Sequence, residues 1–459
     1  RNGSQDSRFE RKKEVAYVGD VYGMLHAVDT HDGKELWAYI PSNLLGKLQN
    51  DRTDPNAEPD FAAVDGSPTA KDVYWDHDGD GVPEWRTILV CAEGFGGTSI
   101  FALDVTDPEN WQVLWETTDD PDIGGEAPGG GMGYAFRVAL DKVKVPVLDV
   151  NKDPIPGQYT VQWMVYVATS YANIAEDHGG INVFAFDLAT GTEQWTFSST
   201  YADSVNDIPG AATTFDLNGD TLADRLFVGD MNGRMWELAL TDDPAGRWAA
   251  GHSVHIGEYR DPNDAFTTLT AEIPLFNAGI GNPISVSPAV TTRNGHVLLV
   301  FGTGGADWAS DDQGYHVYAV DVTAAGLLVQ SDKNYNFANL GGAIGAIWSL
   351  ATAAGEKVWS SPTISAGKIW LVTSSGTMES TDPKRDKTGS SKLRLLDLDT
   401  GQNVWDQPLQ LGKIRGSLYV SRKHVYLTAF DGDIIQLGDQ DDFPSGTGNR
   451  VVLKSWLHQ

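Results

Sequence analysis

The chain has 459 residues and a formal net charge of −30, with 63 acidic against 33 basic side chains. A field of that sign repels nucleic acid and anionic membrane surfaces, so neither is expected as a main partner. The single cysteine, Cys91, excludes a disulfide framework, and no apolar run reaches the roughly 18 residues that a membrane-spanning helix needs.

Short strands, rather than helices, are predicted along the chain after a polar segment, 1–14, which is interpreted as a lead-in from a longer protein. The sequence contains 50 glycines, which permit tight turns, and 15 tryptophans, which fill the space between sheets. Alternating β-branched and aromatic residues mark the clearest strands, at Glu14–Val18, Trp163–Thr169, Val297–Gly302, Lys368–Thr373 and Lys423–Thr428.

A turn motif recurs along the chain, with glycine four residues and tryptophan eight residues after an aspartate. Its copies are Asp29, Gly33 and Trp37; Asp187, Gly191 and Trp195; and Asp397, Gly401 and Trp405, with a looser copy from Asp104 to Trp115. The aspartate caps the turn, the glycine permits a positive φ, and the tryptophan falls on the next strand. The tryptophans are therefore predicted to occupy equivalent places, facing the neighbouring sheet.

Strand ends of this kind recur at seven places, which are Asp29, Asp104, Asp187, Leu240, Asp321, Asp397 and Leu437. Such repetition predicts an all-β fold, a modified seven-bladed β-propeller with quinoprotein-like repeats, as a single domain over 15–459. The strand near Val15–Val18 is expected to pair with one near Val451–Leu457, because a ring without that closure would leave a bare sheet edge. Irregular spacing predicts long insertions near 43–60, 119–133, 141–158, 258–283 and 379–391.

Two acidic loops have the spacing of calcium ligands, with oxygen-bearing side chains at the first, third, fifth and ninth positions. The first loop offers Asp76, Asp78, Asp80 and Glu84 with the carbonyl of Val82, and the second offers Asp216, Asn218, Asp220 and Asp224 with the carbonyl of Leu222. Ca²⁺ prefers roughly six to eight hard oxygen ligands, so both loops are predicted calcium sites.

The loops are EF-hand-like rather than EF-hands. Thr87 and Phe227 stand at the twelfth position, where an EF-hand has glutamate, and the flanking segments are predicted strands rather than helices. The alternative interpretation, an acidic turn without metal, stays open for each loop.

Several stretches resemble the PilY/PilC family of type IV pilus tip proteins, and the resemblance covers nearly the whole chain. They are Gly66–Thr69, Trp85–Val90, Gly94–Gly97, Ile100–Pro108 and the run from Asp216 to Trp236. The resemblance implies a C-terminal propeller with a calcium loop in one blade, whose occupancy controls pilus extension and retraction. Asp216, Asn218, Asp220 and Asp224 would then be the regulatory ligands.

The resemblance also implies a non-enzymatic protein that is exported through the periplasm to the pilus tip at the cell surface. There it would act in pilus biogenesis and adhesion, with minor pilins and host or abiotic surfaces as partners. Two alternatives are an assembly scaffold and a quinoprotein dehydrogenase that uses pyrroloquinoline quinone. Such dehydrogenases typically bracket the quinone with a vicinal cysteine pair, which a chain with Cys91 alone cannot form.

Overall fold

The computed structural model describes residues 14–45, 64–77, 80–117, 133–151, 154–169, 182–198, 210–242, 249–261, 264–279, 281–304, 313–322, 346–375, 389–409, 418–420, 424–428 and 434–439. Strands make up nearly all the regular structure in these ranges, beside a short 3-10 turn at Gly94–Gly96. Across the same ranges, no helix has the length and hydropathy needed to span a bilayer. The chain divides into two compact units, Arg1–Leu226 with Leu238–His252, and Phe227–Glu237 with Ser253–Gln459.

In the described part of the first unit, three antiparallel sheets follow one another along the chain. The first comprises β1 (Val15–Gly19), β2 (Leu25–Asp29) and β3 (Glu35–Tyr39); the second comprises β4 (Thr69–Trp75), β5 (Glu84–Ala92), β6 (Ile100–Asp104) and β7 (Gln112–Glu116); and the third comprises β8 (Val138–Leu148), β9 (Pro154–Thr169), β10 (Asn182–Asp187) and β11 (Glu193–Ser198). Consecutive strands are neighbours in each sheet, as expected of blade-like repeats.

A fourth sheet follows along the chain. Its strands, in order, are β12 (Thr213–Phe215), β13 (Arg225–Gly229), β14 (Arg234–Ala239) and β17 (Phe276–Asn277). The turn between β13 and β14 is capped by Asp230, whose Oδ1 accepts the N–H groups of Asn232 and Arg234 at 2.9 and 3.0 Å. This short local cap explains why the chain reverses direction here.

The second unit contains a hairpin and three further sheets among its described residues. The hairpin comprises β15 (Ile256–Asp261) and β16 (Asp264–Glu272); the fifth sheet comprises β18 (Ala289–Arg293), β19 (His296–Gly302), β20 (His316–Asp321) and β21 (Ala346–Ala351); the sixth comprises β22 (Glu356–Val358), β23 (Thr363–Ser365), β24 (Lys368–Ser375), β25 (Ser390–Asp397) and β26 (Asn403–Leu409); and the seventh comprises β27 (Leu418–Val420), β28 (His424–Thr428) and β29 (Ile434–Asp439).

The described ranges thus hold seven antiparallel sheets of three or more strands, which equals the predicted number of blades. The blade count itself stays a prediction, as does the single domain. Five of the predicted strand ends are confirmed, because β2, β6, β10, β20 and β25 end at Asp29, Asp104, Asp187, Asp321 and Asp397. The predicted closing segment, 451–457, lies outside the described residues.

Neighbouring sheets within a unit pack face to face through apolar side chains. On β5, Leu89 and Cys91 pack toward the first sheet, whereas Ile88 and Val90 pack toward the third. Successive side chains of a strand point to opposite faces, so this run is buried on both sides. Cys91 is a buried thiol in this core, and burial raises its pKa strongly.

The repeated turns have the predicted geometry. Asp187 Oδ1 accepts the N–H and the hydroxyl of Thr190 at 2.8 and 3.0 Å, and the Gly191 N–H donates to the Asp187 carbonyl at 2.9 Å. Gly191 and Gly401 have φ values of 69° and 67°, in the left-handed region that glycine adopts without strain.

The tryptophans that follow these turns are equivalent, as predicted. Each lies opposite the residue that immediately precedes a β-bulge on the preceding strand, and two further tryptophans share the position. The pairs are Trp37 with Ala27, Trp115 with Ala102, Trp195 with Ala185, Trp348 with Ala319, and Trp405 with Leu395. Trp115 confirms the looser copy of the motif, and Trp348 extends the series beyond the prediction.

At Trp115 and Trp348 the indole ring rests on the turn of the next sheet. Trp115 Nε1 donates to the carbonyl of Leu188 at 2.7 Å, and a Cβ added to Gly191 would come within 2.6 Å of the ring. Trp348 makes both contacts with the turn that contains Gly401. The turn glycine is therefore required twice, for its positive φ and for the close approach of the indole.

One predicted insertion is an ordered ribbon rather than a loop. β8 and β9 pair from Val138 with Val167 out to Leu148 with Pro154, whereas β9 pairs with β10 only from Met164 onward. The described strand residues of the segment 141–158 therefore lie in a two-stranded extension of the third sheet. The insertion predicted near 258–283 contains the β15–β16 hairpin. Those near 43–60, 119–133 and 379–391 lie largely outside the described residues.

Candidate cation-binding loops

The second acidic loop joins β12 to β13 and curls around its own backbone amides. Asp216 accepts the N–H groups of Gly219 and Thr221 at 2.7 and 2.6 Å, through Oδ1 and Oδ2 respectively. Asp220 Oδ1 accepts the Leu222 N–H at 2.9 Å. Carboxylates that accept N–H groups from residues just ahead hold a chain in a tight turn. The loop therefore has the curled form that its spacing predicted.

Asp224, at the ninth position, closes the base of this loop. Its N–H donates to the carbonyl of Phe215 at 2.9 Å, and its Oδ2 accepts the Leu217 N–H at 2.9 Å. The side-chain amide of Asn218 donates to Oδ1 at 3.1 Å. Burial raises the pKa of the Asp224 carboxyl above its usual value, because desolvation outweighs the N–H groups that it accepts. A cation placed beside this partly buried group would favour its charged form.

Two lysines of β8 reach the second loop from the neighbouring sheet. Lys144 Nζ forms an ion pair with Asp220 Oδ2, and Lys142 Nζ donates to the Thr221 hydroxyl at 3.3 Å. The Lys142 carbonyl also accepts the Ala223 N–H at 2.9 Å. The hydrogen bond from Lys144 lowers the pKa of Asp220, and Asp220 raises the pKa of Lys144 in turn. An ammonium group thus stands beside the fifth-position carboxylate.

The first acidic loop joins β4 to β5 and repeats two contacts of the second. Asp76 Oδ2 accepts the Gly81 N–H at 2.8 Å, and Asp80 Oδ1 accepts the Val82 N–H at 2.7 Å. These link the first position to the sixth and the fifth to the seventh, as in the second loop. Asp78, the predicted third-position ligand, lies outside the described residues.

Glu84, at the ninth position of the first loop, has basic partners. Its Oε1 lies 2.6 Å from Nδ1 of His77 and 2.6 Å from Nη2 of Arg86. Arg86 also reaches Asp104, with its Nη1 at 3.4 Å from Oδ2. Arg86, on the same hairpin, therefore already neutralises the carboxylate that was predicted to bind metal.

The sixth position takes a left-handed backbone in both loops, with φ at 86° for Gly81 and 73° for Thr221. An EF-hand loop has glycine here for the sharp turn. Although the second loop has Thr221 rather than glycine at this position, it adopts the same backbone form. Thr221 adopts this conformation at a cost, because its Cβ approaches the following carbonyl.

The donor set of the second loop fits a hard cation. Within nine residues it offers three carboxylates and one amide oxygen, with no nitrogen or sulfur ligand. The carboxylates bind the loop amides and Lys144, and over the described ranges no three His, Cys, Asp or Glu side chains are grouped so as to hold a metal. Leu222 and Val82 use their N–H groups in the contacts above, and ligation by their carbonyls stays a prediction.

The lysines of β8 are the residues near this site that the sequence did not reveal. Lys144 and Asp220 are 76 residues apart in sequence and meet only because the third and fourth sheets are adjacent in the fold. The signal available was the alternation of Lys142 and Lys144, which places both on one face of a strand. That signal does not say which carboxylate they face.

Comparisons with known proteins agree with the arrangement of the sheets. A family model described as the PilY1 beta-propeller domain matches residues 3–321. The type IV pilus biogenesis factor PilY1 of Pseudomonas aeruginosa is 29% identical over 305 residues, which are 63% of this chain and 23% of that protein. A PilY1 homolog of Xylella fastidiosa is 30% identical over 298 residues, 64% of this chain and 20% of the relative.

The crystal structure of the Pseudomonas aeruginosa PilY1 C-terminal domain superimposes on this chain with a TM-score of 0.60. It is 21% identical in sequence, and the match covers 95% of this chain and 93% of the solved one. The prediction of an all-β propeller is confirmed by these matches. The chain spans between a fifth and a quarter of the length of the curated relatives.

Proposed function

Because the chain belongs to the PilY1 β-propeller family, we propose that it is the propeller of a type IV pilus biogenesis factor and that calcium regulates it. The observation that carries the proposal is the family match over residues 3–321, which includes both acidic loops. The protein is not an enzyme, because the relatives are named as pilus biogenesis factors. They offer no support for the quinoprotein dehydrogenase considered from the sequence.

Calcium is assigned first to the second loop, with Asp216, Asn218, Asp220 and Asp224 as side-chain ligands and Leu222 as the carbonyl ligand. When bound, Ca²⁺ would supply charge neutralisation and a fixed loop shape. The support is the all-oxygen donor set on a loop that the fold already curls. The first loop, with Asp76, Asp78, Asp80, Val82 and Glu84, is a weaker candidate because Arg86 and His77 hold Glu84.

In this proposal the propeller works at the pilus tip outside the cell, after export through the periplasm. It contacts other tip components such as minor pilins, and it attaches the pilus to host or abiotic surfaces. A calcium-filled second loop favours pilus extension, and an empty loop favours retraction. An assembly scaffold that has no calcium response is the second candidate, since the same sheets could serve it.

The proposal is tested in the organism that encodes the protein. An in-frame deletion of residues 15–439 from the full-length protein should reduce the number of surface pili. Asp216→Ala in the full-length protein should leave pili assembled but remove the calcium dependence of extension. Normal pilus numbers in the deletion strain would overturn the biogenesis role. An unchanged calcium response in Asp216→Ala would overturn regulation by calcium at this loop and would favour the assembly scaffold.

A further inference from the structure

We propose that Lys144 is a built-in competitor for the cation of the second acidic loop, so that calcium binding displaces its ammonium group from Asp220. The inference rests on the calcium binding proposed above and adds the residue that sets its affinity. Lys144 belongs to β8, in a different sheet from the loop. The competition therefore links the ion state of the loop to another part of the same unit.

The competition follows from the contacts of the Asp220 carboxylate. Its Oδ1 accepts the Leu222 N–H at 2.9 Å, which keeps the loop curled, and its Oδ2 is paired with Lys144. Both side chains are partly exposed, at 42% for Lys144 and 30% for Asp220, so water weakens this pair without removing it. A divalent cation that binds Asp220 neutralises the negative charge that attracts the ammonium group of Lys144.

Lys142 provides the contrast that isolates this effect. It precedes Lys144 by two residues and therefore lies on the same face of β8. Its ammonium donates to the neutral hydroxyl of Thr221 at 3.3 Å rather than to a predicted ligand. Removing either lysine changes the net charge near the loop equally, but only Lys144 competes directly for a ligand.

Displacement of Lys144 has a consequence for the β8–β9 ribbon. Lys144 lies opposite Val161 in the ribbon, and Lys142 lies opposite Trp163. The backbone bond from Ala223 to the Lys142 carbonyl stays in place, whereas the Lys144 contact, further along the ribbon, is given up. The outer ribbon exposes Tyr159 and Val161, at 46% and 55%, and would lose one of its attachments to the loop.

The test is calorimetric titration of calcium chloride into the 459-residue chain and two charge-matched variants. Lys144→Gln should bind calcium at the second loop about fivefold more tightly, as loss of a partly screened ion pair implies. Lys142→Gln should change the affinity by less than about twofold, since it retains the competitor. Equal tightening in the two variants would indicate a general charge effect and would overturn the proposal, and so would an unchanged affinity in Lys144→Gln.

Two further measurements separate this inference from the proposed function. If Asp216→Ala binds calcium as the wild type does, the loop is not the calcium site, and both proposals fail. If Asp216→Ala abolishes one site but Lys144→Gln binds like the wild type, only the competition fails. Hydrogen exchange of the amides in residues 143–162 gives a second readout. Calcium should raise the exchange rate of these amides in the wild type and leave it unchanged in Lys144→Gln. An exchange rate in the wild type that does not change with calcium would overturn the link to the ribbon.

Discussion

The two acidic loops share their ligand spacing, yet the ninth-position carboxylate has a different environment in each. In the second loop Asp224 accepts the Leu217 N–H, and burial raises its pKa. In the first loop Glu84 lies against Arg86, which supplies positive charge, and against a ring nitrogen of His77. Equal spacing therefore does not make equal cation sites, because the neighbouring charges decide how much of each carboxylate is left for a metal.

Removal of the ninth-position carboxylates should produce the largest difference between the loops. Asp224→Ala should abolish the calcium-dependent stabilisation of the second loop, which is about 2.7 kcal/mol at about a hundredfold excess over Kd. Glu84→Ala should keep most of the calcium-dependent stabilisation of the protein, since Arg86 already neutralises Glu84. Thermal unfolding with and without calcium measures both variants. A full calcium response in Asp224→Ala would show that the metal binds elsewhere.

Exchange of the sixth-position residues tests the backbone strain in the two loops. Gly81→Thr should lower the free energy of unfolding by about 1–2 kcal/mol, because a side chain at φ 86° crowds its own carbonyl. No other group lies within 4 Å of a Cβ added there, so the cost is one of backbone alone.

The reverse change, Thr221→Gly, should raise the free energy of unfolding because it relieves the strain of a positive φ. The gain should be about 1 kcal/mol or less, because glycine also adds chain entropy to the unfolded state, which partly offsets it. The substitution also gives up the hydroxyl that Lys142 contacts. Urea unfolding in calcium-free buffer measures both variants. Two changes of the same sign would mean that this φ does not govern the stability of the loops.

Arg86→Gln should make the first loop more like a cation site. Its calcium affinity should rise by about two- to fivefold as Glu84 is released from the guanidinium. The titration is made in an Asp224→Ala background, so that the second loop does not contribute. Lys71→Gln is the control, because Lys71 lies on the same hairpin but pairs with Asp141 at 3.0 Å. An equal rise in calcium affinity in Lys71→Gln would show that the change in net charge, rather than the release of Glu84, causes the effect.

The smallest effect is expected in the pH dependence of the calcium-free protein. The pKa of Asp224 is raised in the folded state, so its contribution makes stability fall as pH rises from the unfolded value of about 3.9 through the folded pKa. The pKa of Asp220 is lowered by Lys144. That contribution is present above about 3.9 and is lost as pH falls through the lowered folded value.

Asp224→Asn and Asp220→Asn should therefore change the slope of stability against pH in opposite directions. Urea unfolding over a series of pH values in a chelating buffer measures both slopes. Two slopes that change in the same direction would show that burial of Asp224 does not outweigh the amides it accepts.

Most of the fold was predictable because its signals are local. The cap of Asp187 on Thr190, the positive φ of Gly191 and the tryptophan on the next strand all lie within nine residues. Trp348 was missed because a long segment separates it from the strand end at Asp321, although it takes the same place in its sheet. The ribbon was missed because its prolines and glycine resemble a loop in sequence and are tolerated where β9 pairs with one strand only.

In the second acidic loop, nearby residues determine the shape of the loop but not the charges that surround it. The order of Asp216, Asp220 and Asp224 is sufficient to curl the loop, since each carboxylate bonds to amides a few residues away. The charge beside that loop depends on Lys144, which lies 76 residues earlier in the sequence and reaches Asp220 through the packing of two sheets. Hydrogen bonds of turns are encoded over a few residues, whereas ion pairs between sheets exist only after those sheets have packed.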